Sequence, residues 1–278
     1  MTVGIVCDGG VSLPRELRDA VRVVPLQRDD GSSPAADPAT HAAARSPGTA
    51  APSPGAFLEA IEQADRGNGV LVLTVASAFS AAFGAARLAA TSARAGGHRV
   101  EVLDSRTATV GQGLVAQAAF RSATGGDPLA VVAARASEVS RQVRLVALIA
   151  QLDELARSGR VPGVVAATGR VGVRPLFEVR DGAVRRMRPA FGLPAAERRV
   201  AREIVREAHD LQPHGLRRHH LHLAALHGHE RGSADRLLDI VRRHVVPATS
   251  FVAELSPPMM LHTGPGVSGL AWWWEDAP

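Results

Sequence analysis

The chain has 278 residues, 46% of them hydrophobic, with a formal net charge of +5; this is ample for one large or two modest domains and excludes a disordered chain. All 32 positive residues are Arg and alternate with acids at helical spacing, as in "RELRDAVR" and "RRVAREIVRE", so they read as solvated helix faces rather than a nucleic-acid stripe. No apolar run approaches the ~18 residues that span a bilayer, no secretory signal opens the chain, and the lone Cys7 forms no internal disulfide, which together predict a cytoplasmic protein.

In chain order, "VGIVCD" (3 to 8) is a short apolar run that places Cys7 in a buried strand, with a nucleophilic Cys7 the rarer alternative. "LPRELRDAV" has helical character and "VRVVPLQ" (21 to 27) is strand-like. Residues 28 to 55 are rich in Pro, Gly, Ser and Ala without periodicity, a length that marks a functional lid or a disordered stretch. "FLEAIEQAD" resumes as helix. "GVLVLTVA" (69 to 76) is the strongest strand, a continuous β-branched and Leu run as expected for a strand covered on both faces. A helix follows from "SAFSAAFGAA" to the Gly96-Gly97 stop, then a strand "HRVEVLDS" and the helical segments "GLVAQAAFRSA" and "PLAVVAARASEVSRQV". Strands alternating with helices predict a doubly wound, mostly parallel sheet.

From about residue 144 the pattern changes. "RLVALIA" is strand-like and "QLDELARSGR" helical; Asp181-Gly182 between apolar-alternating arms signals a hairpin. A long amphipathic helix ("AAERRVAREIVREAHDL"), the strand "HLHLAAL", the helix "SADRLLDIVRRHVV" and the strands "TSFVAEL" and "GLAWWW" complete a mixed unit. The fold class is therefore α/β, with two α/β domains: residues 1–143, doubly wound and mostly parallel, and residues 144–278, a mixed sheet with helices.

In doubly wound sheets ligands sit beyond the carboxyl ends of strands, at helix N-termini. That rule selects Ser77, where a hydroxyl and free N–H groups suit an anion; the alternative is that Ser77 or Ser80 caps the helix. Asp104-Ser105 sits in the same way and reads as a cap. The histidines of "PHGLRRHHLHLAALHGHE" lack metal-ligand spacing, and His220 and His222 alternate with Leu, which puts them on one face of a strand, toward solvent. Gly264, Gly266 and Gly269 match G-x-G-x-x-G, but the residues after them read as strand rather than helix, against a dinucleotide site. A Ser, His262 and Asp104 assemble into a hydrolase triad only on paper, since no G-x-S-x-G elbow is present.

Three stretches together resemble the DegV family of fatty-acid-binding proteins. "TAAPSPGAF" (49 to 57) is similar to its T-S-Q-P-S-P-x-x-F, "LTVASAFSAAFGAA" (73 to 86) to I-x-x-S-S-x-L-S-G-T-Y-x-S-A, and "VEVLDSRTATVGQG" (100 to 113) to V-x-V-x-D-S-x-x-x-S-x-G-x-G. "LDELARSGRV" (152 to 161), "VRPLFEVRDG" (173 to 182) and "HTGPGVSGLA" follow in family order. The resemblance implies one long-chain fatty acid buried between two domains, its carboxylate held by Thr49, Ser77 and His262, with Arg160 and Ser80 near the head group and no catalytic residue, metal or cofactor. It also implies presentation of the bound acid to a fatty acid kinase. There the sequence departs: Phe191 stands in place of the family's partner-contacting Arg, with Arg188 nearby. Ala50, Ala51, Ala76, Ala81 and Ala82 replace polar residues of the family motifs, and Asp8-Gly9 and Ser12 replace its first D-S and the acid that follows. The expected function is thus a non-enzymatic lipid carrier. The alternatives are a degenerate relative that has lost its lipid and acts as an interaction module, and a small hydrolase using Ser77.

Overall fold

The computed structural model describes residues 2–28, 49–149, 172–211 and 219–276. The first sheet is built from β1 (Gly4–Asp8), β2 (Arg22–Val24), β5 (Val70–Thr74) and β6 (Val100–Asp104) in the order β2-β1-β5-β6, all parallel. Every residue of β5 is buried, as a continuous apolar run covered on both faces requires. β3 (Gln27–Arg28) and β4 (Thr49–Ala50) form a separate antiparallel ribbon. The strand-like run 21 to 27 is therefore two pieces broken at Pro25, and the helical reading of "LPRELRDAV" reduces to one 3₁₀ turn, Arg15–Leu17. Only Leu17 of that turn is buried, so no apolar stripe sustains a longer helix.

α1 (Pro54–Ala64) and α2 (Ala82–Ala95) cover the outer face of this sheet. α3 (Thr109–Thr124) and α4 (Leu129–Gln142) cover its inner face and also meet a second sheet, α3 more closely than α4. That sheet has the order β10-β9-β7-β14-β12-β13, from β7 (Arg144–Leu148), β9 (Leu176–Arg180), β10 (Ala183–Arg186), β12 (His219–His227), β13 (Thr249–Glu254) and β14 (Ser268–Asp276). Its pairs are antiparallel except β12 with β13. α5 (Leu193–Leu211) and α6 (Arg231–Arg242) close its far face, β8 (Val173–Arg174) pairs with β11 (Ala190–Phe191), and α7 (Pro257–Thr263) leads into β14.

The result is a helix–sheet–helix–sheet–helix stack. α3 is its centre: Thr109 to Ala119 are all buried, because both faces meet a sheet. Its glycines permit the approach, since a Cβ at Gly113 would lie 2.3 Å from the Ser12 carbonyl oxygen. One hydrophobic core runs from α1 across both sheets through Val115, Ala119, Ala224 and Ala271; a second, with Val200, Ile204, Leu237 and Trp272, lies under α5 and α6. The boundary read at 143/144 falls at the start of β7, and the layer N-terminal to it serves both sheets. The expected helix in "QLDELARSGR" lies outside the described residues.

His222 departs from its solvent-facing reading. It is 3% exposed, stacks on Trp273 with ring centroids 4.4 Å apart, and hydrogen-bonds Thr249 Oγ1 (2.8 Å) and Glu275 Oε2 (3.0 Å). Burial, with Arg121, Arg135 and His220 around it, pushes its pKa down to about 4. His220 stays exposed on the same strand face.

Candidate functional site

The carboxyl ends of β1 and β5 create the site, as the topology rule expects. Asp8 closes β1 and is fully buried. Its Oδ1 accepts from the Gly10 N–H (2.9 Å) and its Oδ2 from the Val75 N–H (2.7 Å), tying together the loops that leave the two strands. Burial raises the pKa of this carboxyl to about 6; the amides of Val75 and Gly10 and the side chain of Gln112 pull against that, and Asp104 adds to it. Gln112 also donates to the Leu73 carbonyl (3.2 Å), so α3 is stitched to the same strand ends.

Asp104, expected to cap a helix, instead organises the loops beside this point. Its Oδ2 accepts from the Ser77 N–H (3.1 Å) and its Oδ1 from the Arg106 N–H (2.7 Å). The Arg106 side chain pairs with Asp181 (3.4 Å), and its carbonyl accepts from the Gly182 N–H (2.8 Å). The Asp181-Gly182 turn, with φ of 54° and 75°, has the left-handed geometry of a type I′ hairpin. It is thereby docked on the end of β6.

α7 brings the histidine. Its preceding Ser256 donates to the Gly9 carbonyl (3.1 Å), and Gly264 (φ 76°) ends the helix after His262. The helix is thus pinned across the exit of β1. His262 Nε2 and Thr49 Oγ1, 213 residues apart in sequence, share a 2.6 Å hydrogen bond. Either group is the donor, according to the imidazole tautomer.

These two residues stand at a cavity of about 130 Å³. Gly10, Val75 and Ala108 come from the strand-end loops, Leu26, Ala50 and Ala51 from the first ribbon and its surroundings, Phe79 and Ser80 from the turn before α2, and Val184, Met259 and Thr263 from the second half of the chain. The walls are apolar, with Thr49, Ser80, His262 and Thr263 as the polar side chains. Ser80 Oγ accepts from the Ala82 N–H (3.2 Å), so it caps the start of α2 while facing the cavity.

Of the residues selected from sequence, Thr49, Ser80 and His262 come together. Ser77 does not join them: it is exposed and lines a separate cleft of about 510 Å³ with Asp104, Arg106, Arg141 and Asp181. The reason is local. α2 begins at Ala82, not at residue 77, and the intervening turn points Ser80 rather than Ser77 at the cavity. Ser77 and His262 line different cavities, which removes the geometry a triad of Ser77, His262 and Asp104 needs. Arg160 lies outside the described residues. Sequence reasoning missed Asp8 as an organising group; the signal was an acid at the end of an apolar strand, followed by two glycines.

Of the five Ala substitutions, Ala50 and Ala51 face the cavity. Ala76 and Ala82 are fully buried elsewhere and Ala81 is exposed. Phe191 is 77% exposed. Cys7 is buried, which pushes its thiol pKa up and fits a packing role. No group of three or more His, Cys, Asp or Glu among the described residues is arranged to hold a metal ion, and no helix among them is long and apolar enough to cross a membrane.

The model of the DegV family, whose description is that of uncharacterised proteins, matches residues 2–275. The chain belongs to the DegV family. DegV domain-containing proteins of Mycobacterium bovis and Mycobacterium tuberculosis are 31% identical over 284 residues, covering 97% of this chain and 96% of theirs. The fold is similar to that of a fatty-acid-binding DegV family protein from Thermus thermophilus (TM-score 0.80, 25% identity, 98% and 99% of the two chains). It is also similar to a DegV lipid-binding protein from Thermotoga maritima (TM-score 0.82, 19% identity, full coverage of both), a likeness of fold alone.

Proposed function

We propose that this DegV protein is a carrier that binds one long-chain fatty acid, with the carboxylate held by Thr49, His262 and Ser80 and the alkyl chain in the apolar cavity behind them. The observation that carries the reading is the 2.6 Å Thr49–His262 pair in the wall of a largely apolar cavity. The fatty acid binding reported for the Thermus relative supports it. A carboxylate leaving water needs replacement donors, and a hydroxyl and an imidazole N–H supply them. The tail gains ~0.8 kcal/mol per buried CH₂.

The cavity, at about 130 Å³, is smaller than the roughly 300–1,000 Å³ of ordinary ligand sites. The bound state therefore moves the lining, and the adaptable side chains in place to move are Met259 and Phe79. The carboxylate end faces the loops on which an acceptor partner would act. A fatty acid kinase is the partner the family resemblance implies, and the exposed Phe191 with neighbouring Arg188 marks where its contact would differ. A lipid-free interaction module, the competing reading, rests on the Ala substitutions; only Ala50 and Ala51 reach the cavity, where they make its wall more apolar.

The test is calorimetric titration of the delipidated protein with oleate. The carrier reading expects one site per chain, weakened in His262→Ala; no uptake of oleate or palmitate would leave the interaction module as the better reading.

A further inference from the structure

Gly10 and Val75 form part of the wall of the fatty-acid cavity, and both have their backbone N–H groups fixed by the one carboxylate of Asp8. Among the described residues, no cation offsets that charge in the interactions that set its protonation. From β5 the Val75 amide faces it, from its own loop the Gly10 amide, from α3 the Gln112 side chain, and from β6 the carboxylate of Asp104, of the same sign; the neighbouring Cys7 thiol is held protonated. Asp8 thus lies one residue behind a site that receives an anion of the same sign.

We propose that Asp8 is a positioning residue of the carboxylate pocket and that ligand binding is coupled to proton uptake at its side chain. The inference rests on the fatty-acid reading above. Asp8 accepts from two amides and fixes both strand-exit loops, and on protonation its O–H oxygen keeps a lone pair for one of those amides, so the loops stay in place. When a second carboxylate enters, like-charge repulsion raises the pKa of Asp8 from about 6. The group then takes a proton from solvent, and the ligand binds more tightly as pH falls through this range. A tenfold weakening of the acid corresponds to uptake of about half a proton per ligand at pH 6.5.

Calorimetry in two buffers of different ionisation enthalpy measures this uptake, with oleate and with dodecanesulfonate, an anion that does not itself titrate. His262→Gln removes the titratable imidazole of the pocket, and the proposal expects uptake to persist in that variant and to vanish in Asp8→Asn/His262→Gln. The Asp8→Asn change also turns an NH₂ toward one of the two amides, so oleate affinity falls severalfold at every pH. Gln112→Met, which leaves Asp8 intact, deprives its charged form of a donor and moves the pH of greatest uptake upward; this variant decides the matter if Asp8→Asn prevents folding. Uptake that survives in the double variant, is absent from His262→Gln while binding persists, or is unmoved by Gln112→Met overturns the proposal and leaves the carrier reading intact. Failure of the unaltered protein to bind oleate overturns both.

Discussion

Replacing His262 by Ala tests the head-group assignment at its strongest point. The imidazole lines the cavity 2.6 Å from Thr49 Oγ1. In the complex both groups turn to the ligand, and removing one leaves a half-buried carboxylate short of a donor. A hydrogen bond to a charged group contributes ~1.5–3 kcal/mol, which converts to a loss of about tenfold to 150-fold in affinity. Because the two residues also hold each other, Thr49→Val and His262→Ala should be non-additive: the double variant loses less than the sum, with a coupling of ~0.5–3 kcal/mol. Displacement of the fluorescent cis-parinaric acid by oleate supplies the affinities. A long-chain fatty alcohol in the same assay separates charge recognition from tail burial, since it should lose far less in His262→Ala. An unchanged oleate affinity in His262→Ala, or equal losses for acid and alcohol, would refute the reasoning.

Ser77→Ala should leave oleate affinity within about twofold, whereas Ser80→Ala should weaken it by roughly 1–3 kcal/mol; the reverse order, read by the same displacement, would return Ser77 to the site. Glu207 accepts from the indole N–H groups of Trp272 (2.6 Å) and Trp274 (3.1 Å) and pairs with Arg144, whose guanidinium lies 4.9 Å over the Trp272 ring. Glu207→Ala strands the two indole donors, while Arg144 keeps Glu178, and should cost ~1–3 kcal/mol in urea unfolding, with no effect on oleate affinity beyond that of instability. Burial pushes the Asp65 carboxyl up, but His98 and the amides of Gly67 and Gly69 outweigh it and leave its pKa below the usual value. A lowered carboxylate pKa stabilises the fold above its unfolded-state value near 4 and ceases to do so as pH falls through the folded value. Asp65→Asn should therefore destabilise at pH 7 and lose that effect near pH 3, as measured by unfolding midpoints.

Asp8 works in the opposite sense. Its pKa of about 6 lies above the unfolded carboxylate value, so the folded state binds the extra proton between the two. Its contribution to stability is fully present below about pH 4 and falls by ~3 kcal/mol as pH rises past 6. Unfolding of Asp8→Asn across pH 4 to 7.5 should lack that component of the profile.

The parallel strands, the Asp181-Gly182 hairpin and the long amphipathic α5 were legible because periodicity and turn chemistry are local. The helix α3 was legible as a helix but not as the middle layer: burial on both faces erases the polar stripe that would have shown its orientation. His222 was misplaced for a related reason. Alternation along β12 gives its face correctly, but only the stacking of α3 and α4 on the sheet reveals that this face is covered, and that His220 falls beyond the cover. His262 and Thr49 were found through family motifs, not geometry, since nothing local joins residues 213 apart. That Ser80 rather than Ser77 lines the cavity turns on where α2 starts, and helix starts are the least legible feature of a run of Ala and Ser.

The measurement that bears most directly on the carrier reading is native mass spectrometry of the purified protein, before and after incubation with oleate, followed by organic extraction. The account predicts a mass increment of one fatty acid per chain, lost on denaturation and recovered as free acid. A clean apo mass that stays unchanged after incubation with oleate and palmitate would contradict it.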